Sequence, residues 1–331
     1  VFDENGLLQE NPDVTCISAV RQLCLFFKKV EIECTPVRTR AAFNDYLECE
    51  QELKSQDSRP APEGLGKLKV TFNTLFGPIL HDVGTRCVDQ FELSPKHGPG
   101  KTADRLEGNR KYSQSVWPER LERVFPYGEY VLPNWSHFGE NQPVLLSPSQ
   151  ELPVRVTAVP KTLKTPRIIA IEPTCMQYMQ QALSIAIVPR LERDDVVGPL
   201  IGFTDQEPNK FMARVGSIHG HLATLDLKEA SDRVSNSLVV SLLGSCSLSF
   251  LEAVQATRSR SATVDTDGVS RTIRLSKFAS MGSALCFPIE AMVFLAIVVD
   301  CLADHLHIDR QDRKAFKRLA GLVRVYGDDI I

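Results

Sequence analysis

Apolar positions recur at helical spacing early in the chain, at Ile17, Val20, Cys24, Phe27 and Val30, which predicts an amphipathic helix. The polar, proline- and glycine-bearing stretch from Lys54 to Gly66 cannot continue a helix and reads as a loop. A second loop-rich tract, Ser94 to Lys101, precedes an aromatic and proline-rich stretch from Tyr112 to Phe138, and no internal repeat or low-complexity block follows. From Glu151 onward the pattern turns regular. Val154, Val156 and Ala158 alternate as a strand would, Arg167 to Ile171 is β-branched and apolar, and Cys175 to Ile187 is helix-like. His221 to Leu227 reads as a short buried strand carrying Asp226, after which Val234, Leu238 and Leu242 step along one helix face. Two β-prone runs between Thr263 and Ile273 flank Asp267-Gly268, a strong hairpin signal. Ile289, Met292, Val293, Ala296 and Ile297 mark a further helix face, with Gly282 and Ser283 near its start, and Leu322 to Ile331 reads as strand, tight turn, strand. This order implies an antiparallel sheet backed by helices, an α+β architecture.

A length of 331 residues, 43% of them hydrophobic and 24% charged, suffices for one large or two medium domains with a real core. The longest uninterrupted apolar run, Ala291 to Val299, falls short of the roughly 20 residues a membrane span needs. No charged-then-apolar leader opens the chain, so a soluble, non-secreted protein without a membrane partner is expected. The nine cysteines, Cys16, Cys24, Cys34, Cys49, Cys87, Cys175, Cys246, Cys286 and Cys301, show no zinc-ligand or redox spacing and are expected as small core residues in a reducing compartment. A net charge of -3 requires any nucleic-acid surface to be a local basic patch. Opening on Val1 and closing on Ile330-Ile331, one step into a strand, the chain reads as an excerpt of a longer protein.

Three features carry candidate chemistry. Asp226 lies on one predicted strand and Asp328-Asp329 in the turn of another, and two neighbouring strands would gather these carboxylates at one sheet edge. Clustered carboxylates repel one another unless a cation neutralises them, and hard oxygen ligands favour Mg²⁺. Taken alone, Asp-Asp after Tyr-Gly is more often a solvated turn than a metal site, and Asp265 and Asp267 in the hairpin read as such a turn. In a chain of net negative charge, Lys161, Lys164 and Arg167 recur every third residue; they form either a cationic rail for a triphosphate or a solvated basic loop. Ser280-Met-Gly-Ser283 places a glycine at a helix start, where backbone amides suit sugar-phosphate groups, although glycine there is also ordinary punctuation. The pairs His219/His221 and His305/His307 lack further matching ligands and read as surface or core residues.

Together, and in this order, these features resemble the signature of viral RNA-dependent RNA polymerases. Leu225 to Arg233 looks like motif A, Ser280 to Glu290 like motif B, Tyr326-Gly-Asp-Asp329 like motif C, and the stretch from Lys161 through Ile171-Glu-Pro173 like motif F. Within that superfamily the chain resembles replicases of the levivirus-like single-stranded RNA bacteriophages. The resemblance rests on the spacing of Asp226 and Asp232, the Ser-Met-Gly opening of motif B with its Phe287 and Glu290, and the segments His97 to Tyr112 and Trp117 to Phe125. Many of those replicases carry Asn where this chain has Ser283 and Thr where it has Cys286.

The resemblance implies a right-hand polymerase with fingers and an antiparallel-sheet palm, truncated before the thumb. Residues 1–150 would contribute to fingers and palm support, 151–220 would form fingers with the basic entry motif, and 221–331 the palm. It implies that Asp226 and Asp328 hold two Mg²⁺ ions, for which Mn²⁺ can substitute, with Asp329 an additional ligand and Leu227 offering its carbonyl. Lys161, Lys164 and Arg167 would face the triphosphate, and Asp232, Ser280, Gly282 and Ser283 the ribose, whose 2′-hydroxyl distinguishes RNA precursors from DNA precursors. Implied partners are template and nascent RNA, NTPs and host translation factors as replicase subunits, in the cytoplasm of an infected bacterium. Rival readings are a narna- or ourmia-like virus polymerase, a reverse transcriptase, which Asp232 argues against, and an inactive RNA-binding scaffold.

Overall fold

The computed structural model describes residues 1–26, 33–137, 139, 142–161, 165–266 and 268–331. Phe27, Val30, Lys164 and Asp267, each part of an expectation above, lie outside the described residues. The chain divides into two compact units, Val1–Tyr46 with Ala158–Ile168, and Leu47–Thr157 with Ile169–Ile331.

In the first unit, helix α1 (Val14–Leu25) starts where the Asp13 carboxylate accepts hydrogen bonds from the amides of Thr15 at 2.7 Å and Cys16 at 3.2 Å. These bonds satisfy orphan donors of the first turn and hold the Asp13 carboxyl below its ordinary range. None of its residues is buried, so the predicted helix forms without burying a face. Helix α2 (Pro36–Asp57) opens on a proline suited to a first helical turn and runs into the second unit. It continues through Lys54, Ser55, Gln56 and Asp57, which corrects the loop expected over residues 54–66. None of those four side chains forbids a helix, and the break comes at Pro60 and Pro62. Leu65 already begins the next helix, after Gly64 adopts a left-handed φ of 93°.

The second unit carries α3 (Leu65–Asp82), β1 (Val116–Pro118), α4 (Glu119–Val124), α5 (Tyr127–Tyr130), β2 (Val144–Leu146), β3 (Val154–Val159) and β4 (Arg167–Ile171), the last two reaching into the first unit. There follow α6 (Thr174–Arg193), α7 (Glu207–His219), α8 (Asn236–Leu243), α9 (Leu248–Thr257), β5 (Ser261–Thr266), β6 (Val269–Arg274), α10 (Cys286–His305), β7 (Val325–Tyr326) and β8 (Asp329–Ile330). Its core is helical. Leu75, Phe76 and Leu80 of α3, Met179 and Leu183 of α6, Phe250 and Val254 of α9, and Leu295 and Val299 of α10 are all fully buried. Burial of so many large side chains, each stabilising by roughly 1.5–3 kcal/mol relative to exposure, makes this packing the main support of the site. Helix α10 is long and apolar enough to cross a membrane by length and composition alone, yet 67% of its most apolar window is buried inside the protein. A hydrogen bond of 2.7 Å from the Thr71 hydroxyl to Asp300 ties it to α3.

Strands β4, β3, β5 and β6 form one sheet in that order, with β3 and β5 parallel and β5 and β6 the expected antiparallel hairpin. The sheet is thus mixed where an antiparallel one was expected, and the overall class is α+β. Strands β7 and β8 pair antiparallel through Val325 with Ile330 and Tyr326 with Asp329. The expectation of a buried strand over His221 to Leu227 is corrected. Leu225 alone makes an isolated antiparallel bridge, to Ile330, and its neighbours are largely exposed. The strand it would join, β8, is two residues long and offers no ladder for more.

All cysteines are free, and Cys49, Cys87, Cys175 and Cys286 are buried as expected. Cys16, Cys24 and Cys301 are exposed, which corrects the expectation of a core role: α1 buries no residue, and Cys301 lies on the outward face of α10.

Candidate active site

Two chain segments meet at the predicted carboxylates. The Leu225 amide donates to the Ile330 carbonyl at 2.9 Å, and the next step of this antiparallel register brings Asp226 level with Asp329. Asp328 sits in the turn between β7 and β8, and all three aspartates are exposed. Gly327 permits that turn: its φ is 64°, and Phe287 of α10 occupies the space where a side chain would stand. The Asp329 carboxylate accepts a 2.6 Å hydrogen bond from Gln206, and its carbonyl one of 3.3 Å from Asn209 at the start of α7. Asp226 and Asp328 make no side-chain hydrogen bond or ion pair with a described residue.

Among the described residues no three His, Cys, Asp or Glu side chains converge as a ready metal cluster. The donor set nevertheless fits Mg²⁺, which is commonly held by one or two carboxylates with substrate phosphates completing its shell. Two exposed, unpartnered aspartates beside a third meet that need.

Asp232 lies in a short 3-10 turn, Ser231–Arg233, on the same segment as Asp226. Its carboxylate is paired with the ammonium of Lys277 at 3.1 Å, and Lys277, fully buried, also pairs with Glu50 at 3.5 Å. Arg233 beside it bonds Glu52 at 2.7 Å and Glu229 at 2.9 Å. The C-terminal half of α2 therefore grips the segment that carries Asp232.

The loop before α10 is held from beneath. Gly282 has φ 127°, and a Cβ there would stand 2.0 Å from the Ala170 carbonyl oxygen of β4. The Ala170 amide donates to the Met281 carbonyl at 2.8 Å. Ser280 is buried, and its carbonyl accepts from the Ser283 amide at 3.1 Å. The Ser283 hydroxyl and the Ala284 amide both donate to the Gln180 side-chain oxygen, at 3.1 and 3.2 Å, and Gln180 donates in turn to the Thr257 carbonyl at 2.9 Å. Glu172, Gln180, Ser259, Ser280 and Ser283 line a small cavity here. Burial pushes the Glu172 carboxyl up to about 7, against a hydrogen bond from Ser259. Further along α10 the buried Glu290 is pushed up to about 8, first by desolvation and then by the negative charge of Asp328. Cys286 donates its thiol to Glu290 at 3.7 Å.

Lys161, two residues past the end of β3, and Arg167, the first residue of β4, belong to the first unit and are exposed, and Lys164 lies outside the described residues. The paired histidines are exposed, His219 and His221 with ring centroids 5.9 Å apart, and join no metal cluster. Glu50, Gln180 and Lys277 were missed by sequence reasoning. The one available signal was a lysine set among Leu275, Phe278 and Ala279, an apolar context in which a charge demands a partner.

The profile of the family described as RNA replicase, beta-chain matches residues 149–331. The chain belongs to this family. It is 37% identical over 176 residues to the RNA-directed RNA polymerase beta chain of Escherichia phage MS2, covering 53% of this chain and 28% of that protein. The beta chain of Enterobacteria phage fr is 36% identical over 176 residues, with 53% and 28% covered. The RNA-directed RNA polymerase subunit beta of Qbeta virus (strain MX1) is 33% identical over 234 residues, with 71% and 35% covered. The chain thus spans about a third or less of the length of these relatives. The resemblance to levivirus-like phage replicases is borne out; the matched residues 149–331 include the four stretches that look like motifs, while His97 to Tyr112 and Trp117 to Phe125 lie outside that match.

Proposed function

We propose that this chain is the fingers-and-palm portion of an RNA-directed RNA polymerase that copies a phage RNA genome in the cytoplasm of an infected bacterial cell. Residues 1–150 support fingers and palm, 151–220 form fingers, and 221–331 the palm. The observation that carries the reading is the bridge from Leu225 to Ile330, which sets Asp226 beside the Gly-Asp-Asp turn in a chain of the replicase family.

In this reading Asp226 and Asp328 hold two Mg²⁺ ions, or Mn²⁺, with Asp329 and the Leu227 carbonyl as further oxygen donors. When bound, the ions supply charge neutralisation and a lowered pKa for the primer 3′-hydroxyl. Lys161, Lys164 and Arg167 bind the triphosphate and offset its charge, and Asp232 with Ser280, Gly282 and Ser283 orients the ribose. RNA sequence is read by base pairing, so the protein needs only local contacts to backbone, in keeping with its net charge of -3. Host translation factors are the proposed replicase partners.

The test is Asp328→Asn in the full-length protein, assayed by Mg²⁺-dependent primer extension. Asp328 is exposed in its turn, so folding should persist while nucleotide incorporation disappears. Incorporation near the parent's level would sink the reading, as would a parent protein that binds RNA and extends nothing.

A further inference from the structure

We propose that Lys277 is the positioning residue for ribose selection: by bridging Glu50 and Asp232 it fixes the carboxylate that reads the 2′-hydroxyl. The inference rests on the assignment of Asp232 to the ribose.

An ammonium removed from water costs several kcal/mol unless paired, and Lys277 has no exposed side-chain surface. Its pairing is asymmetric. Glu50 is itself anchored, accepting hydrogen bonds from the amides of Ser276 at 2.7 Å and Lys277 at 3.4 Å. Glu50 thus belongs rigidly to the segment that carries Lys277. Asp232 keeps 20% of its side chain exposed, so one side of its carboxylate is held by the ammonium while another stays open to the site.

The backbone repeats the connection. Ser235 bridges Lys277 antiparallel, the Phe278 amide donates to the Val234 carbonyl at 2.7 Å, and the Asn236 amide to the Ser276 carbonyl at 2.8 Å. The Cys49 thiol also donates to the Asp232 carbonyl at 3.3 Å. Lys277 stands three residues before Ser280, so a single side chain registers the acid of one ribose-facing segment against the start of the other. Lysine suits this place because a compact ammonium on a flexible stem can serve two carboxylates, where a planar guanidinium would need more room than a fully buried site offers. Without the cation, Asp232 and Glu50 would face each other uncompensated, with Glu290 close enough to feel Asp232. Asp232 would then turn toward solvent.

The experiment measures the ratio of kcat/KM for a ribonucleotide over the matching deoxynucleotide in the full-length protein, for Lys277→Met, Glu50→Gln and Asp232→Ala, with thermal melts alongside. Asp232→Ala should lower the ratio by about 10- to 100-fold, the equivalent of one charge-assisted hydrogen bond. Lys277→Met should lower it comparably, chiefly through the ribonucleotide KM, while deoxynucleotide use changes little. If Lys277→Met melts out, Glu50→Gln decides: its single carboxamide oxygen can keep the shorter bond from the Ser276 amide while the charge that anchors the ammonium is lost, and a smaller loss of selectivity in the same direction is expected. A normal ratio in the folded Lys277 or Glu50 variant, or an equal loss of both nucleotides, overturns the inference while a selective Asp232→Ala defect leaves the ribose assignment standing. An unchanged ratio in Asp232→Ala overturns that assignment itself.

Discussion

The ring of Phe287 fills the place a side chain at Gly327 would take: a Cβ there would lie 2.0 Å from Phe287 Cε2 and 2.9 Å from Cζ. The ring is itself confined by Tyr326 and Phe203, with centroids 5.4 and 5.9 Å away. Gly327→Ala therefore faces two obstacles, a φ of 64° that costs about 1–2 kcal/mol for an L-residue and a wall that cannot easily retreat. The turn carrying Asp328 should shift, and incorporation should fall at least about tenfold, an effect of about 1.4 kcal/mol on the barrier. Phe287→Leu added to Gly327→Ala opens the wall and should restore part of the activity. A double variant no better than the single one would show that the ring is not the obstacle.

Gly282 is constrained in the same way by backbone, which cannot yield as a side chain can. Its substitution by alanine would drive a Cβ to 2.0 Å from the Ala170 oxygen, at a φ of 127°. The hydrogen bond from Ala170 to Met281 should break, with a loss of more than about 1 kcal/mol in stability. Nucleotide KM should rise and the ribose preference fall, because Ser280 and Ser283 flank the displaced residue. Single-nucleotide kinetics with a thermal melt check this; a parent-like KM would show that the loop tolerates the shift.

These contacts explain what could be read from the chain and what could not. The Gly-Asp-Asp turn, the hairpin of β5 and β6, and α10 declare themselves locally, through a left-handed glycine, an Asp-Gly pair and a repeating apolar face. The aspartates were legible for that reason, together with their order along the chain. Lys277 was not, because its partner Glu50 lies more than two hundred residues away and no local period encodes such a pairing. The segment around Asp226 misled for the opposite reason. Leu225 and Leu227 alternate as in a buried strand, yet β8 is too short to cover them, and they stand 51% and 39% exposed. Phe287 and Glu290 were visible as family markers, but what each touches required the fold.

Glu172 gives a pH dependence with a definite sign. Its carboxyl is pushed from an ordinary 4.5 up to about 7, chiefly by desolvation. Between those values the folded protein binds a proton that the unfolded chain has released, so stability falls as pH rises through the window. The neutral form's contribution is fully present below the lower value, and the penalty for ionising is complete above the upper one. The whole swing is on the order of 3 kcal/mol. Glu172→Gln keeps an acceptor for the Ser259 hydroxyl and carries no charge at any pH. The variant should melt close to the parent near about pH 5 and several degrees above it near about pH 8.5, since only the parent pays for ionisation there. A constant difference in melting temperature across that range would mean that Glu172 does not titrate in the folded protein, and that Arg120 and Arg258, the nearby cations, keep it ionised throughout.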